Sequence, residues 1–455
     1  MLSEHNPIAE LVHQIQKKWI DEVSSIPELK LVRWIIKPDE ARLFEGFLKL
    51  ESTEHGAIPE VVVAIMSPFK SEFIHSKTLV CDWIGEFKED KKTKEKLIAK
   101  GMNNTWSSDV FLMDTVSSDA YAHDDLLKML SSFQVRLMDK NMRLVVALFP
   151  YSIYDMSGYN RWLISLLKQQ IPDKISFMIF DHIGENYFDG VFRKYPDITK
   201  SLHVNLDLDG AISKIAKMGD PNSPEVKLRE CMLEMGKAVQ NKDQSRLHEW
   251  GEKALQVTQK SPLKSVYASA HIIYAGMLFN FKQYEKIDHL LAQGLNITNK
   301  GLKLDDGACK PLMIQYYGFI AASRQLQKRM TEAIQAYEKQ GDLAVEYQLP
   351  GVAITPYRQA YSLSKKKLPE RYDDLINKTF LVGMTMQKEE QQNSSFPGVA
   401  YDYLQWVETR KGWKEAKQAE LELTTLLGDD WKVRAKDPNA PYNIEFKKNI
   451  ANIAS

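Results

Sequence analysis

A chain of 455 residues exceeds what one hydrophobic core organises, so about two to three domains are expected. Hydrophobic residues at 44% and charged residues at 26% are the balance of an ordinary globular protein. Sixty basic residues against sixty acidic ones leave no net field to draw the chain to nucleic acid or anionic lipid, which argues against a specific nucleic-acid partner.

Cys81, Cys231 and Cys309 are far apart, odd in number and lack CxxC spacing, which argues against a disulfide framework and a zinc site. No apolar run approaches the roughly 18–20 residues that a membrane helix needs. The opening Met-Leu-Ser-Glu-His-Asn-Pro has no basic-then-apolar layout, so a cytoplasmic location without a membrane span is expected.

The first helix is expected near residues 7–23. Six short apolar, β-branched segments then punctuate the chain to residue 215: Leu31–Ile36, Val61–Met66, Val110–Asp114, Leu144–Phe149, Ile175–Phe180 and Leu202–Leu208. Several are continuously hydrophobic, as strands covered on both faces are. Amphipathic stretches near 39–50, 71–99, 121–140, 157–170 and 184–194 separate them. The alternation predicts an α/β domain over 1–217 with a mostly parallel sheet.

This order of elements resembles the core of a P-loop ATPase of the AAA or signal-transduction (STAND) type. In the resemblance, Leu144–Phe149 stands for a Walker B strand, Ile175–Asp181 for a sensor strand and Leu202–Leu208 for the last short strand. The P-loop itself is missing. After the first strand the chain reads Lys37-Pro38-Asp39-Glu40-Ala41-Arg42, without the glycines, Lys and Ser/Thr that wrap phosphates. Pro38 removes one N–H, and Asp39 and Glu40 place carboxylates where phosphate would bind. Phe149-Pro150 stands where a magnesium-binding carboxylate should be. The resemblance therefore implies a degenerate domain that has lost hydrolysis, and no cofactor is expected.

Ligands of open α/β sheets sit beyond the carboxyl ends of strands, which here carry Ser67-Pro68-Phe69-Lys70, Asp114-Thr115, Pro150-Tyr151 and Asp181-His182. Asp114, Asp181 and His182 are the residue types an enzyme would use there. Adjacent Asp181 and His182 point to opposite faces, however, and make a poor acid–base pair. His123-Asp124-Asp125 has metal-ligand residue types, but acids in a first helical turn are ordinary helix chemistry. Asp155 or Ser157 fits a helix cap, and Cys81 beside Asp82 is a poor thiolate. No catalytic residue and no metal site is assigned.

Met218-Gly-Asp-Pro-Asn-Ser-Pro224 is the clearest linker, spanning 218–224. From 225 to 428 helical periodicity takes over, predicting an all-α array. Leu247, Ile287, Ala333, Leu375 and Ala416 recur at equivalent places in the second helix of successive pairs, at steps of 40, 46, 42 and 41 residues. The preceding helices hold Met235 and Ala238, Ala275 and Leu278, then Ala321 and Ser323. With Tyr284, Glu285, Leu291, Tyr317 and Tyr337, this pattern resembles the tetratricopeptide-repeat family over the second half. It departs in a period longer than the family's, about 34 residues, and in lacking most unit-ending prolines.

Such arrays bind other chains on a concave face lined by first helices. The resemblance implies a partner-binding face, for which Tyr267, His271, Tyr316, Gln359 and Tyr401 are the candidates. Pro356 is expected to kink or start a helix, Gln387–Ser395 to form a flexible insertion, and 429–455 to form a tail or cap. The expectation is a non-enzymatic scaffold, adaptor or chaperone that binds a protein partner and could itself oligomerise. The alternatives are a STAND-like nucleotide sensor and an enzyme acting at the strand ends.

Overall fold

The computed structural model describes residues 6–53, 55–89, 106, 122–136, 142–428 and 431–436. The chain divides into two compact units between Ile215 and Ala216. The expected strand at Val110–Asp114, and most of the tail from residue 429, lie outside the described residues.

The first unit is an α/β layer fold. Its strands, β1 Leu31–Ile36, β2 Val61–Ile65, β3 Leu144–Leu148, β4 Ile175–His182 and β5 Thr199–Leu202, form one parallel sheet in the order β2-β3-β4-β1-β5. All of β3 is buried, which is why its sequence is an unbroken apolar run. Successive side chains serve opposite faces. Leu31, Leu144, Val146, Phe177 and Ile179 face one core, while Val32, Trp34, Val145, Ala147 and Met178 face the other.

Among the described residues, four helices cover the first of these faces: α3 His75–Glu89, α4 His123–Gln134, α5 Met156–Leu167 and α6 Asp189–Lys194. The other face is covered by α1 Pro7–Trp19, α2 Ala41–Glu51 and α7 Leu208–Ala216. Here the structure corrects the sequence reading, because Leu202–Leu208 is not a strand. Leu202 and Leu206 are buried in alternation with exposed neighbours, so the periodicity is real. The ladder to β1 nonetheless stops at Leu202. Asp207 then accepts a hydrogen bond from the Gly210 N–H at 2.9 Å and turns the chain into α7.

Among the described residues, buried ion pairs at Arg143 and Arg33 fasten this unit. Arg143 meets Glu60 at 2.7 Å, and Glu60 also accepts from the Trp19 indole N–H. Arg33 on β1 meets Asp181 at 2.9 Å and Asp189 at 2.8 Å.

The second unit is an all-α array. Its helices are α8 Pro224–Gln240, α9 Gln244–Thr258, α10 Lys264–Leu278, α11 Tyr284–Lys303, α12 Cys309–Leu326, α13 Met330–Glu346, α14 Pro350–Lys367, α15 Pro369–Met384, α16 Lys388–Asn393, α17 Phe396–Arg410, α18 Trp413–Leu427 and α19 Trp431–Lys436. Consecutive long helices pack in pairs, α8 with α9, α10 with α11, α12 with α13, α14 with α15 and α17 with α18. Short turns make the members of a pair antiparallel. Leu247, Ile287, Ala333, Leu375 and Ala416, one in each second helix, are all buried.

Glycines on second helices let each pair close on the next. A Cβ at Gly251, Gly294, Gly341 or Gly383 would fall within 2.5 Å of a ring atom or hydroxyl of Tyr274, Tyr316, Tyr357 or Phe396, respectively. Each of these aromatics sits on the first helix of the following pair. One local expectation changes, and another is narrowed. Residues 388–393 form a short helix whose Gln391 is buried and donates to the Gly383 carbonyl at 3.0 Å. The fourth pair starts at Pro350, leaving Pro356 inside the helix and buried.

Candidate functional site

The end of β1 is where the first unit would hold a ligand. β1 lies between β4 and β5, where the order of strands reverses, and open parallel sheets bind ligands at such a switch point. After Ile36 the chain enters a single 3-10 turn, Pro38–Glu40, and continues as α2. Glu40 is 1% exposed and folds back on this turn. Its carboxylate accepts the Lys37 N–H at 2.9 Å and lies 3.6 Å from the Lys37 ammonium. A carboxylate of the chain thus takes the backbone donor and the positive helix end that a phosphate would need.

The neighbouring strand ends are closed too. Phe149, where a metal-binding carboxylate would stand, packs edge-on against Phe180 with ring centroids 4.9 Å apart, and Phe180 meets Phe44 at 5.9 Å. Asp181 is buried and fully engaged. Besides Arg33 it accepts the N–H of His182 at 3.0 Å and, at 3.4 Å, those of Tyr187 and Phe188. It holds the loop after β4 in place rather than orienting a base. His182 is half-buried and lies away from this carboxylate network except through its backbone. Asp114 lies outside the described residues.

The other residues with reactive groups are structural as well. Burial, followed by the charge of Asp82, pushes the Cys81 thiol up to about 12. Asp155 stands at the N-cap of α5, but its carboxylate turns to Arg161 at 3.4 Å. His123 is buried with its Nδ1 3.0 Å from the Ser76 hydroxyl, which also accepts the Trp162 indole N–H at 2.9 Å. His75 lies among Phe69, Tyr159 and Trp162, and burial, then the nearby His123, lowers its pKa to about 3. Among the described residues no group of three or more His, Cys, Asp or Glu could hold a metal ion.

In the helical array the five candidate contact residues separate. Gln359 is exposed on α14, and Tyr267 on α10 and Tyr401 on α17 are half-buried. The Tyr401 ring has the Lys436 ammonium 5.3 Å from its centroid. Tyr316 and His271 were expected on an exposed face, and the structure buries both. Tyr316 fills the space above Gly294, and its hydroxyl donates to the Ala268 carbonyl. His271 donates from Nδ1 to the Tyr267 carbonyl at 2.9 Å, and burial lowers its pKa. Each has a polar atom satisfied inside the array, which is what allows a Tyr or His into a core.

The sequence reading missed Arg33. A single arginine inside the apolar run Leu-Val-Arg-Trp-Ile-Ile is a signal for a buried ion pair, but its partners lie about 150 residues away, at Asp181 and Asp189.

No family model matches the chain, and no curated protein matches it. Among solved structures, it is similar to a signal transduction ATPase with numerous domains carrying a tetratricopeptide repeat sensor, from Pyrococcus horikoshii. That likeness has a TM-score of 0.29 and 8% identity over 95% of this chain and 80% of the other. A score so low carries neither fold nor function across.

Proposed function

We propose that this protein is a non-enzymatic scaffold or adaptor whose tetratricopeptide-like helical array holds a protein partner. The observation that carries the reading is the array itself: five antiparallel helix pairs, with Tyr267, Gln359 and Tyr401 reaching solvent from first helices. Repeats of this kind stack into extended surfaces, and such surfaces recognise polypeptide. The closed strand ends of the first unit support the same reading, because Glu40, Asp181 and Phe149 are engaged within the protein.

The test is purification of the full chain from its native source beside the combined Tyr267→Ala, Gln359→Ala, Tyr401→Ala variant. A stoichiometric protein partner is expected with the unmodified chain and not with the variant, at unchanged thermal unfolding. Absence of any stoichiometric partner, or equal recovery by both, would overturn the proposal.

A nucleotide-sensing role is the second reading, favoured by the switch point at β1. It requires heat of binding with ATP or ADP at millimolar concentration. Glu40 predicts none.

A further inference from the structure

Covered rings are the rule in this chain, and the exceptions gather in one place. Among the described residues five large aromatic side chains are exposed. Four of them, Phe73, Tyr151, Tyr154 and Tyr187, stand on loops at the carboxyl end of the sheet. The fifth, Trp413, is on α18 of the array. Ile74 and Ile183, on the same loops, are exposed as well, and the six side chains leave between 43% and 74% of their surface in water. An apolar side chain exposed singly needs no explanation, but a cluster of them marks a surface that something covers.

The three loops form one surface around the first turns of α5. The Phe69 N–H donates to the Ser152 carbonyl at 2.9 Å and the Tyr154 N–H to the Phe69 carbonyl at 3.1 Å, which ties the loop after β2 to the loop after β3. Arg161 on α5 meets Glu72 at 3.0 Å and Asp155 at 3.4 Å. Asn160 beside it donates its side-chain amide to the Tyr187 carbonyl at 2.9 Å, bringing in the loop after β4. The rings are thus held on a frame that needs no rearrangement before it is covered, which spares the ordering cost of association.

We propose that this face is a two-fold interface with a second copy of the chain. Two observations select that occupant. The first is area. A standard interface takes about 800 Å² from each partner, of which roughly 450–500 Å² is apolar. The exposed parts of the six side chains come to about 600 Å², so the face supplies the apolar area that a stable dimer needs. The second is charge. A face that meets its own copy cannot carry one prevailing sign, because like charges would be brought together. Here Lys70 and Arg161 stand against Glu72, Asp155 and Glu185, and Arg161 already joins two of the three acids. An anionic membrane fits less well, since Asp155 and Glu185 are exposed beside the rings. The contact rests on the loops and leaves Glu40, Arg33 and Asp181 paired as they are. It uses none of Tyr267, Gln359 and Tyr401, and so goes beyond the partner-binding role of the array.

The test is sedimentation velocity of the full chain from about 1 to 100 micromolar, where a monomer–dimer equilibrium is expected. Phe73→Ser with Tyr154→Ser is expected to weaken the dimer at least about a hundredfold, since a two-fold contact loses each ring twice. Trp413→Ser with Leu421→Ser removes side chains of comparable exposure from α18 and is expected to leave the equilibrium unchanged. Ile183→Ser with Tyr187→Ser repeats the test on a separate loop, so early unfolding of one loop variant leaves the other to decide. A monomer at every concentration, open-ended association, dimers indifferent to both loop variants, or equal loss in the α18 variant would overturn the proposal. So would a monomeric chain that sediments with phosphatidylserine vesicles through Phe73 and Tyr154, which would assign the face to lipid. All variants keep Tyr267, Gln359 and Tyr401, so failure here is distinguishable from failure of partner capture by the array.

Discussion

Replacing Gly294 by Ala is expected to destabilise the array, although alanine is the better helix former. The added Cβ would lie 1.9 Å from the Tyr316 hydroxyl oxygen and 2.4 Å from the ring carbon that bears it. Non-bonded atoms settle at about 3.5–4 Å, so Tyr316 must withdraw by more than an ångström. It has nowhere to go without cost, being fully buried and hydrogen-bonded to the Ala268 carbonyl. Overpacking costs about 1–3 kcal/mol, and the strained buried hydrogen bond costs about 1 kcal/mol. The helix-propensity gain returns about 1 kcal/mol. The net is a loss of about 2 kcal/mol. Gly236→Ala supplies the control, because Gly236 lies on α8 with nothing within 4 Å of its added Cβ. That variant should gain about 0.5–1 kcal/mol. Calorimetric melting of both variants reads the contrast, and Tyr316→Leu in the Gly294→Ala background should recover part of the loss. Shifts of the same sign for the two glycines would refute the wedge.

Acid should weaken the protein through His75. Its pKa in the folded state is about 3 against an ordinary 6.5, so between these values the unfolded chain takes a proton that the folded one refuses. Stability is complete above pH 6.5 and falls as the pH drops towards 3, by up to about 5 kcal/mol. His75→Phe should flatten the fall of the urea midpoint between pH 6.5 and 5, and an unchanged slope would sink the argument. Arg33→Leu leaves Asp181 buried with only backbone donors and should cost about 3 kcal/mol in denaturant titration. Near-neutrality would mean that the loop after β4 holds itself. Glu40→Ala removes the acceptor of the Lys37 N–H and should cost about 1 kcal/mol by the same assay. Heat of binding on titrating ATP into the unmodified protein would contradict the role given to Glu40.

Strands buried on both faces were the most legible part of the fold. Leu144–Leu148 is an unbroken apolar run because helices cover it above and below. Leu202–Leu208 misled for a complementary reason. Alternating burial records which side of an extended segment meets the core and says nothing about whether a ladder partner exists. In the array, Leu247, Ile287 and Ala333 were readable as core because small and aliphatic side chains repeat there. Tyr316 was not, since a tyrosine on a first helix serves core or surface equally well. What decides its place is Gly294 on the preceding helix, and the spacing from each repeat's marker residue to its glycine varies: four residues from Leu247 to Gly251, but eight from Ala333 to Gly341. Compensating pairs like these are legible only once the helices are stacked.

The two units treat charge differently, and that contrast bears on where binding would occur. In the first, the ionisable groups near the strand ends are committed inward. Glu40 closes the turn after β1, Asp181 fixes a loop and Arg33 joins two carboxylates. Freeing any of them for a ligand would leave a buried charge unpaired, at a cost of about 3–5 kcal/mol, roughly all that a millimolar ligand returns in binding. In the array, Gln359 and the half-buried Tyr267 reach solvent from first helices, and neither is in an ion pair. An incoming chain meets no such penalty there, because nothing has to be unpaired before it binds. The energetics therefore favour the faces of the repeats over the closed end of the sheet.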